Sequence, residues 1–326
     1  MKICIYGAGA IGGYMAVELT DAGFDVCVIA RGEHLTAIRK NGLTLRIGGK
    51  EKNHRIPASD NPADFGLQDY VICTLKAQQS CENAEKFVSL LGPDTAMVVA
   101  VNGIPWWYFY KEGSQYEGRH LESVDPGGRQ WKHIGPERAI GCVIDPAAEV
   151  VAPGIIEHQG FNRFTLGEPD GSQSERVKKL AAILTAAGMD APVRDAIRWN
   201  VWLKLWGNVC YNPISALTHT TLERITQGPL RELCLKAMTE TRAVTQSLGV
   251  HIPEEMMLRR LDAAGKAAGH KMSMLQDLER RRSMEIDALV TVVQELGRMT
   301  GTPTPTVDVL LVLVQELARQ EGLYDR

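Results

Sequence analysis

Six residues near the N-terminus, Gly7-Ala8-Gly9-Ala10-Ile11-Gly12, restrict this 326-residue chain more than any other feature. A short β-prone run, Lys2–Tyr6, precedes them. A mostly apolar helical stretch through Ile11, Met15, Val17 and Leu19 follows and stops near Gly23, a residue suited to a helix C-terminus. Asp25–Ala30 then reads as a second buried strand. Strand, glycine turn, helix and strand in this order form the arrangement that cradles a dinucleotide. Gly7 allows the tight turn, Gly9 the close approach of a pyrophosphate, and Gly12 the packing of helix on sheet. The helix-opening amides around Ala8, Ala10 and Ile11 face the anion.

The same logic extends down the first half. Tyr70–Thr74 and Ala96–Val101 read as strands, with a helix from about Gln79 to Leu91 between them and Gly92-Pro93 as its stop. Leu43–Ile47, Gly48-Gly49 and Lys50–Ile56 suggest a hairpin, and further β-like segments occur at Ala139–Ile144, Gly154–His158 and Arg163–Leu166. Nearly all-apolar strands alternating with helices predict a parallel sheet covered on both faces. A polar stretch, Gly167 to Glu175, reads as a linker dividing residues 1–172 from 173–326. From Arg176 onward the period is helical, broken at Asn212-Pro213, His251-Ile252-Pro253 and Thr302-Pro303-Thr304-Pro305. The expected fold is α/β: an N-terminal Rossmann-type dinucleotide-binding domain followed by an all-helical C-terminal domain.

The end of the second strand selects the cofactor. An NAD enzyme places an Asp or Glu there for the ribose hydroxyls. This chain has Ile29-Ala30-Arg31, and Asp25 comes too early. A guanidinium suits a 2′-phosphate, so Arg31 predicts NADP (NADPH); the plainer reading makes it a solvated loop residue.

Composition removes other classes. Lys and Arg total 36 against 39 Asp and Glu, a net charge of −3, which gives no basic surface for nucleic acid. Seven cysteines match no zinc or redox spacing, and Cys4, Cys27 and Cys73 sit in apolar runs, as expected of thiols in a reducing cytoplasm. Glycines interrupt the first apolar stretch, so it does not read as a signal peptide. The longest aliphatic run, Val309 to Val314, is far short of the roughly 20 residues of a membrane span. None of the eight histidines forms a ligand pair at helical spacing, and no metal is expected.

Lys204, Asn208 and Asn212 recur every four residues and share one helix face, opposite Trp199, Trp202, Leu203, Trp206 and Cys210. One lysine and two poor helix formers make an unusual solvent face and a good cradle for a polar substrate.

Several ordered blocks carry a resemblance that covers nearly the whole chain. They are the loop Gly7–Gly12 with Arg31, Thr74-Leu75-Lys76-Ala77, Val101-Asn102-Gly103, Lys204-Leu205 with Asn208 and Asn212-Pro213, Ser273-Met274-Leu275-Gln276-Asp277, Glu285-Ile286-Asp287 and Gly301 to Pro305. With these the chain resembles the ketopantoate reductase (2-dehydropantoate 2-reductase) family. The resemblance implies NADPH-dependent reduction of a 2-oxo acid, ketopantoate to D-pantoate in pantothenate synthesis, in a cleft between the two domains. It implies Lys204 as general acid, and Asn208 and Asn212 as holders of the substrate's other oxygens. Glu285 becomes a catalytic cleft residue contacting the cofactor rather than the ion-pair partner of Arg281 or Arg282. Asn102 would touch nicotinamide ribose and substrate, and Lys76 would support the cofactor. Ser273 has two readings of equal weight: a contact to the substrate carboxylate, or a helix cap in a Ser-x-x-Gln capping box.

Two stretches depart from the family pattern. Ile104 to about His133 is extended and rich in aromatics, either a hydrophobic plug or subunit contact, or a pocket wall favouring a bulkier 2-oxo acid. Val290 and Thr291 stand where the family commonly has Asn-Gly. A non-catalytic NADP-binding regulator is a further alternative, disfavoured by the joint presence of Lys204, Asn208, Asn212 and Glu285. The apolar helix around Val309–Leu317 is either core or the contact of a homodimer.

Overall fold

In the computed structural model, which describes residues 1–325, the apolar run Lys2–Tyr6 becomes β1, deep inside a seven-stranded sheet. Both faces of the strand are covered, which is why Ile3, Cys4 and Ile5 are all buried and no polar alternation marks it. The first of two units, Met1–Val101 with Pro105–His120 and Asp125–Ile197, continues from there. Its elements are α1 (Ala10–Asp21), β2 (Asp25–Ile29), α2 (Gly32–Asn41), β3 (Leu43–Ile47), β4 (Lys50–His54), β5 (Ala58–Ser59), β6 (Gln68–Cys73), α3 (Ala77–Glu82), α4 (Ala84–Phe87), β7 (Leu91–Val99), α5 (Arg129–Ile134), β8 (Ala139–Ile144), β9 (Ala147–Ala152), β10 (Ile155–Gly160), β11 (Phe164–Gly167) and α6 (Glu175–Ala186).

The large sheet has the order β11-β8-β7-β6-β1-β2-β5 and is parallel except at β11. Strand order reverses at β1, which pairs with β2 on one side and β6 on the other. Ligands of such sheets bind at the strand C-termini beside this reversal, where Gly7, Arg31 and Thr74 all emerge. A second sheet, β4-β3-β10-β9, lies against α1 on its other side. That double cover buries Gly12 through Leu19 without a break, Glu18 included, whose carboxylate meets Lys52 of β4 at 2.7 Å.

Three local expectations change. The helix expected from Gln79 to Leu91 breaks at Asn83, whose Nδ2 donates to the Gln79 carbonyl at 2.8 Å and competes with the helical ladder. Gly92-Pro93 does not stop that helix; it opens β7, where the register with β6 shifts and Pro93 needs no ladder donor. The stretch Gly167 to Glu175 is not a free linker. Glu168 within it is buried, and Arg176 grips it with Nε at 2.7 Å and Nη2 at 2.6 Å while donating to the carbonyls of Glu137 and Ala139. Val177, Leu180, Ile183 and Leu184 of α6 complete the first unit's core. The unit therefore runs on to Ile197 rather than ending at residue 172.

The second unit, Asn102–Ile104 with Leu121–Val124 and the chain from Arg198 onward, is helical. Its helices are α7 (Ile197–Thr218), α8 (Leu222–Ile225), α9 (Gly228–Ser247), α10 (Glu255–Ala264), α11 (Ser273–Glu279), α12 (Val292–Thr300) and α13 (Pro305–Gln320). A π-helical turn, Asp287–Thr291, leads into α12. The breaks expected near Pro253 and Pro305 occur, but Asn212-Pro213 does not interrupt α7. A proline inside a helix costs about 3 kcal/mol. Here Val209, Cys210, Tyr211, Ile214 and Ala216 are all buried, and their packing outweighs it. Among the described residues no helix is long and apolar enough to cross a membrane, and no disulfide joins any of the seven buried cysteines.

Candidate active site

In the first unit the glycine loop is pinned by its neighbours. The amides of Gly7 and Ala8 both donate to the Ile29 carbonyl at 3.0 Å, tying the loop to the end of β2. The Thr74 hydroxyl donates to the Gly7 carbonyl at 2.6 Å. A Cβ on Gly12 would fall on that same carbonyl and on Thr74 Oγ1, so only glycine lets α1 come this close. Gly9 is exposed and has open space where its side chain would be. The N-terminus of α1 has neither a side-chain cap nor an acidic residue in its first turn. Its orphan amides, on Ala10, Ile11 and their neighbours, therefore remain to bind an anion. These features fit the pyrophosphate of a dinucleotide. Arg31 is exposed at the N-cap of α2, and Lys76 is half-buried at the N-cap of α3, both beyond the sheet's C-terminal edge. The Thr74 clamp was legible only as part of a family block; a threonine ending a strand carries no signal of its own.

In the second unit α7 presents Lys204, Asn208 and Asn212 along one face, while Trp202, Trp206 and Cys210 on the other are buried. Lys204 Nζ donates to Asn102 Oδ1 at 2.8 Å, and Asn102 Nδ2 donates to Glu285 Oε2 at 3.3 Å. The Asn102 amide is thus oriented from both ends, with a cation on one side and a buried carboxylate on the other. Asn212 Oδ1 accepts from the Ser273 hydroxyl at 3.1 Å and from the Met274 amide at 3.2 Å, leaving its Nδ2 as the donor it can offer a ligand. Asn208 makes no side-chain hydrogen bond to the described residues. Lys204, Asn102 and Glu285 come together in one chain of bonds, and Asn212 and Ser273 in another.

Ser273 does not cap α11. It is the first helical residue, Met272 holds the cap position, and Gln276 bonds the Lys271 carbonyl instead of closing a capping box. Arg281 pairs with Glu321 at 3.0 Å, so Glu285 is not its surface partner. The departure at Val290-Thr291 is structural: Val290 is fully buried, and the Thr291 hydroxyl bonds Asp287 at 2.8 Å within the π turn. That turn also seats the Asn102 loop. The Ile104 amide donates to the Ala288 carbonyl at 3.3 Å, and Gly103, at φ +84°, lies where a Cβ would strike that carbonyl. Gly103→Ala is expected to push Asn102 off Lys204 and lower kcat by about 10²-fold, the scale of a 1 Å misplacement. Steady-state kinetics beside a melting curve will show whether the loss is catalytic.

The aromatic run Trp106–Phe109 packs in the first unit. Trp106, Trp107, Tyr108 and Phe109 are all buried, and the Trp107 ring occupies the space that a side chain on Gly141 of β8 would need. Asp125 ties down the far end of the extended segment by accepting the amides of Gln130 at 2.7 Å and Trp131 at 3.0 Å. These contacts favour a packing role over a wall selecting a bulkier acid. Among the described residues no three His, Cys, Asp or Glu side chains gather as metal ligands would.

The ketopantoate reductase PanE/ApbA family model matches residues 3–171, and the C-terminal model of the same family matches residues 196–318. A 2-dehydropantoate 2-reductase of Mesorhizobium japonicum is 51% identical over 326 residues, covering 99% of this chain and 100% of its own. A crystal structure from Ralstonia solanacearum MolK2 is 40% identical with a TM-score of 0.95, covering 99% of both chains. A PanE/ApbA family ketopantoate reductase from Ralstonia eutropha JMP134 is 27% identical with a TM-score of 0.84, over 99% of this chain and 100% of the other. Likeness that runs through both units, in sequence as well as in fold, goes beyond a shared dinucleotide-binding architecture: this chain belongs to the ketopantoate reductase family.

Proposed function

We propose that this protein reduces ketopantoate to D-pantoate with NADPH, a cytoplasmic step of pantothenate biosynthesis. The observation that carries the reading is the bonded series Lys204–Asn102–Glu285, which holds an ammonium group as a proton donor should be held. When bound, the nicotinamide supplies the hydride that adds to the carbonyl carbon. Lys204 stabilises the charge growing on the carbonyl oxygen and then gives that oxygen its proton. Glu285 anchors Asn102, and Asn102 in turn orients Lys204. Asn208 and the Nδ2 of Asn212 donate to the substrate's remaining oxygens, and Ser273 Oγ, beside Asn212, serves the carboxylate. Gly7–Gly12 take the pyrophosphate, Arg31 takes the adenosine 2′-phosphate, and Lys76 supports the cofactor.

The test is NADPH oxidation by purified protein with ketopantoate, run beside NADH and larger 2-oxo acids. Fast NADPH-dependent turnover of ketopantoate is expected. Activity confined to a bulkier acid would move the substrate, and NADPH binding without any turnover would make the protein a regulator. Arg31→Ala is expected to weaken NADPH roughly ten- to hundredfold and leave NADH alone, since one charge-assisted bond to the 2′-phosphate is lost. Equal loss for both nucleotides would remove the NADP preference.

We also propose a homodimer through α13, where Val309, Val312 and Leu313 are 60%, 62% and 51% exposed in one helical row. Leu313→Asp is expected to shift the particle to monomer size in light scattering. An unchanged size would show that this row is not the contact.

A further inference from the structure

His34 holds the glycine loop from outside the dinucleotide signature. It lies on α2, one turn beyond Arg31. Its Nε2 is 2.6 Å from the Ala8 carbonyl oxygen, and its Nδ1 receives the Gly154 amide at 3.0 Å. A backbone N–H can only donate, so Nδ1 carries no proton and the ring hydrogen sits on Nε2, given to Ala8. Gly154 is itself fixed, because its carbonyl accepts from the Thr44 amide at 2.9 Å. A Cβ on Gly154 would lie 3.2 Å from the Ala37 side chain, so the β9–β10 turn is seated on the helix that carries His34. The small sheet braces the ring, and the ring braces the loop.

The bond to Ala8 has a directional consequence. In a planar trans peptide the C=O and N–H point opposite ways, so holding the Ala8 carbonyl toward His34 turns the Gly9 amide away from it. Thr74 holds the Gly7 carbonyl in the same manner, and the amides of Gly7 and Ala8 are already spent on Ile29. Both carbonyls whose lone pairs would repel a phosphate are thus occupied by side-chain donors. The amide of exposed Gly9 is the first in the loop left for an anion.

We propose that His34 is a positioning residue for the cofactor's pyrophosphate: its Nε2–H fixes the Ala8 carbonyl and so presents the Gly9 amide to the phosphate. The inference rests on the reading that this loop binds NADPH. A glutamine amide nitrogen reaches about as far as Nε2, whereas an asparagine amide reaches only about as far as Nδ1. His34→Gln therefore keeps the donor to Ala8, and His34→Asn keeps a group near Gly154 alone.

The experiment measures NADPH affinity by calorimetry for wild type and both variants, with melting temperature, kcat at saturating NADPH and binding of adenosine 2′-monophosphate alongside. His34→Asn is expected to weaken NADPH about five- to thirtyfold, the loss of one hydrogen bond with its acceptor left unmet. Its kcat at saturation and its affinity for adenosine 2′-monophosphate, which has no pyrophosphate, are expected to stay at wild-type values. His34→Gln is expected to restore NADPH affinity. Equal weakening in both variants, a shift in neither, or a parallel loss of adenosine 2′-monophosphate overturns the proposal. If His34→Asn does not fold, weak NADPH binding by folded His34→Gln overturns it alone. Wild-type protein that binds no dinucleotide would instead overturn the cofactor reading, and this inference with it.

Discussion

Lys204→Ala is expected to lower kcat/KM for ketopantoate by about 10²–10⁴-fold, the usual contribution of a positioned general acid, while NADPH affinity stays unchanged. The loss has two parts. The proton donor disappears, and Asn102 Oδ1 loses the bond at 2.8 Å that fixes one end of its amide. Stopped-flow oxidation of NADPH under single-turnover conditions separates chemistry from binding, because the variant would bind both ligands and react slowly. Turnover equal to wild type would remove Lys204 from the mechanism. Lys204→Arg retains charge but not the compact ammonium, so it should recover little, since the two cations differ in shape and hydrogen-bond geometry.

The second large effect is on stability. Arg176→Ala leaves Glu168, whose side chain is only 4% exposed, as a buried carboxylate without its guanidinium. Breaking a buried pair from one side costs about 3–5 kcal/mol, and because Arg176 is itself 34% exposed the lower end applies. The carbonyls of Glu137 and Ala139 lose their donors too. At about 2–4 °C per kcal/mol, Tm should fall by roughly 6–12 °C. A Tm within 2 °C of wild type, roughly the shift from 1 kcal/mol or less, would show that the pair is neutral to stability.

The parts of the molecule legible in the sequence are those set by short-range rules. Gly7–Gly12 between an apolar strand and an apolar helix announces its own turn, because few other sequences tolerate that backbone. Lys204, Asn208 and Asn212 share a face wherever a helix forms, by period alone. Elsewhere the local preference of a residue lost to packing. Pro213 is a helix breaker by propensity, yet its flanks are buried and α7 runs through it. Glu168 looks like a linker residue by polarity, but the Arg176 guanidinium supplies the charge that lets it be buried. Ser273 and Gln276 fit a capping box by spacing, but Asn212, 61 residues earlier, takes the serine hydroxyl.

The sequence by itself determined the two-part α/β and helical organisation, the dinucleotide loop with Arg31 at its strand end, and the residue types of the polar cluster. Only the tertiary structure decided that Asn102 bridges Lys204 to Glu285, which lies 183 residues away in the chain. The same holds for the α1 helix lying between two sheets, and for His34 joining Ala8 to Gly154. The physical reason is one of range. Glycine conformation and helical period are fixed by neighbours within a turn or two. A hydrogen bond between distant side chains exists only because burial elsewhere has already brought their backbones together.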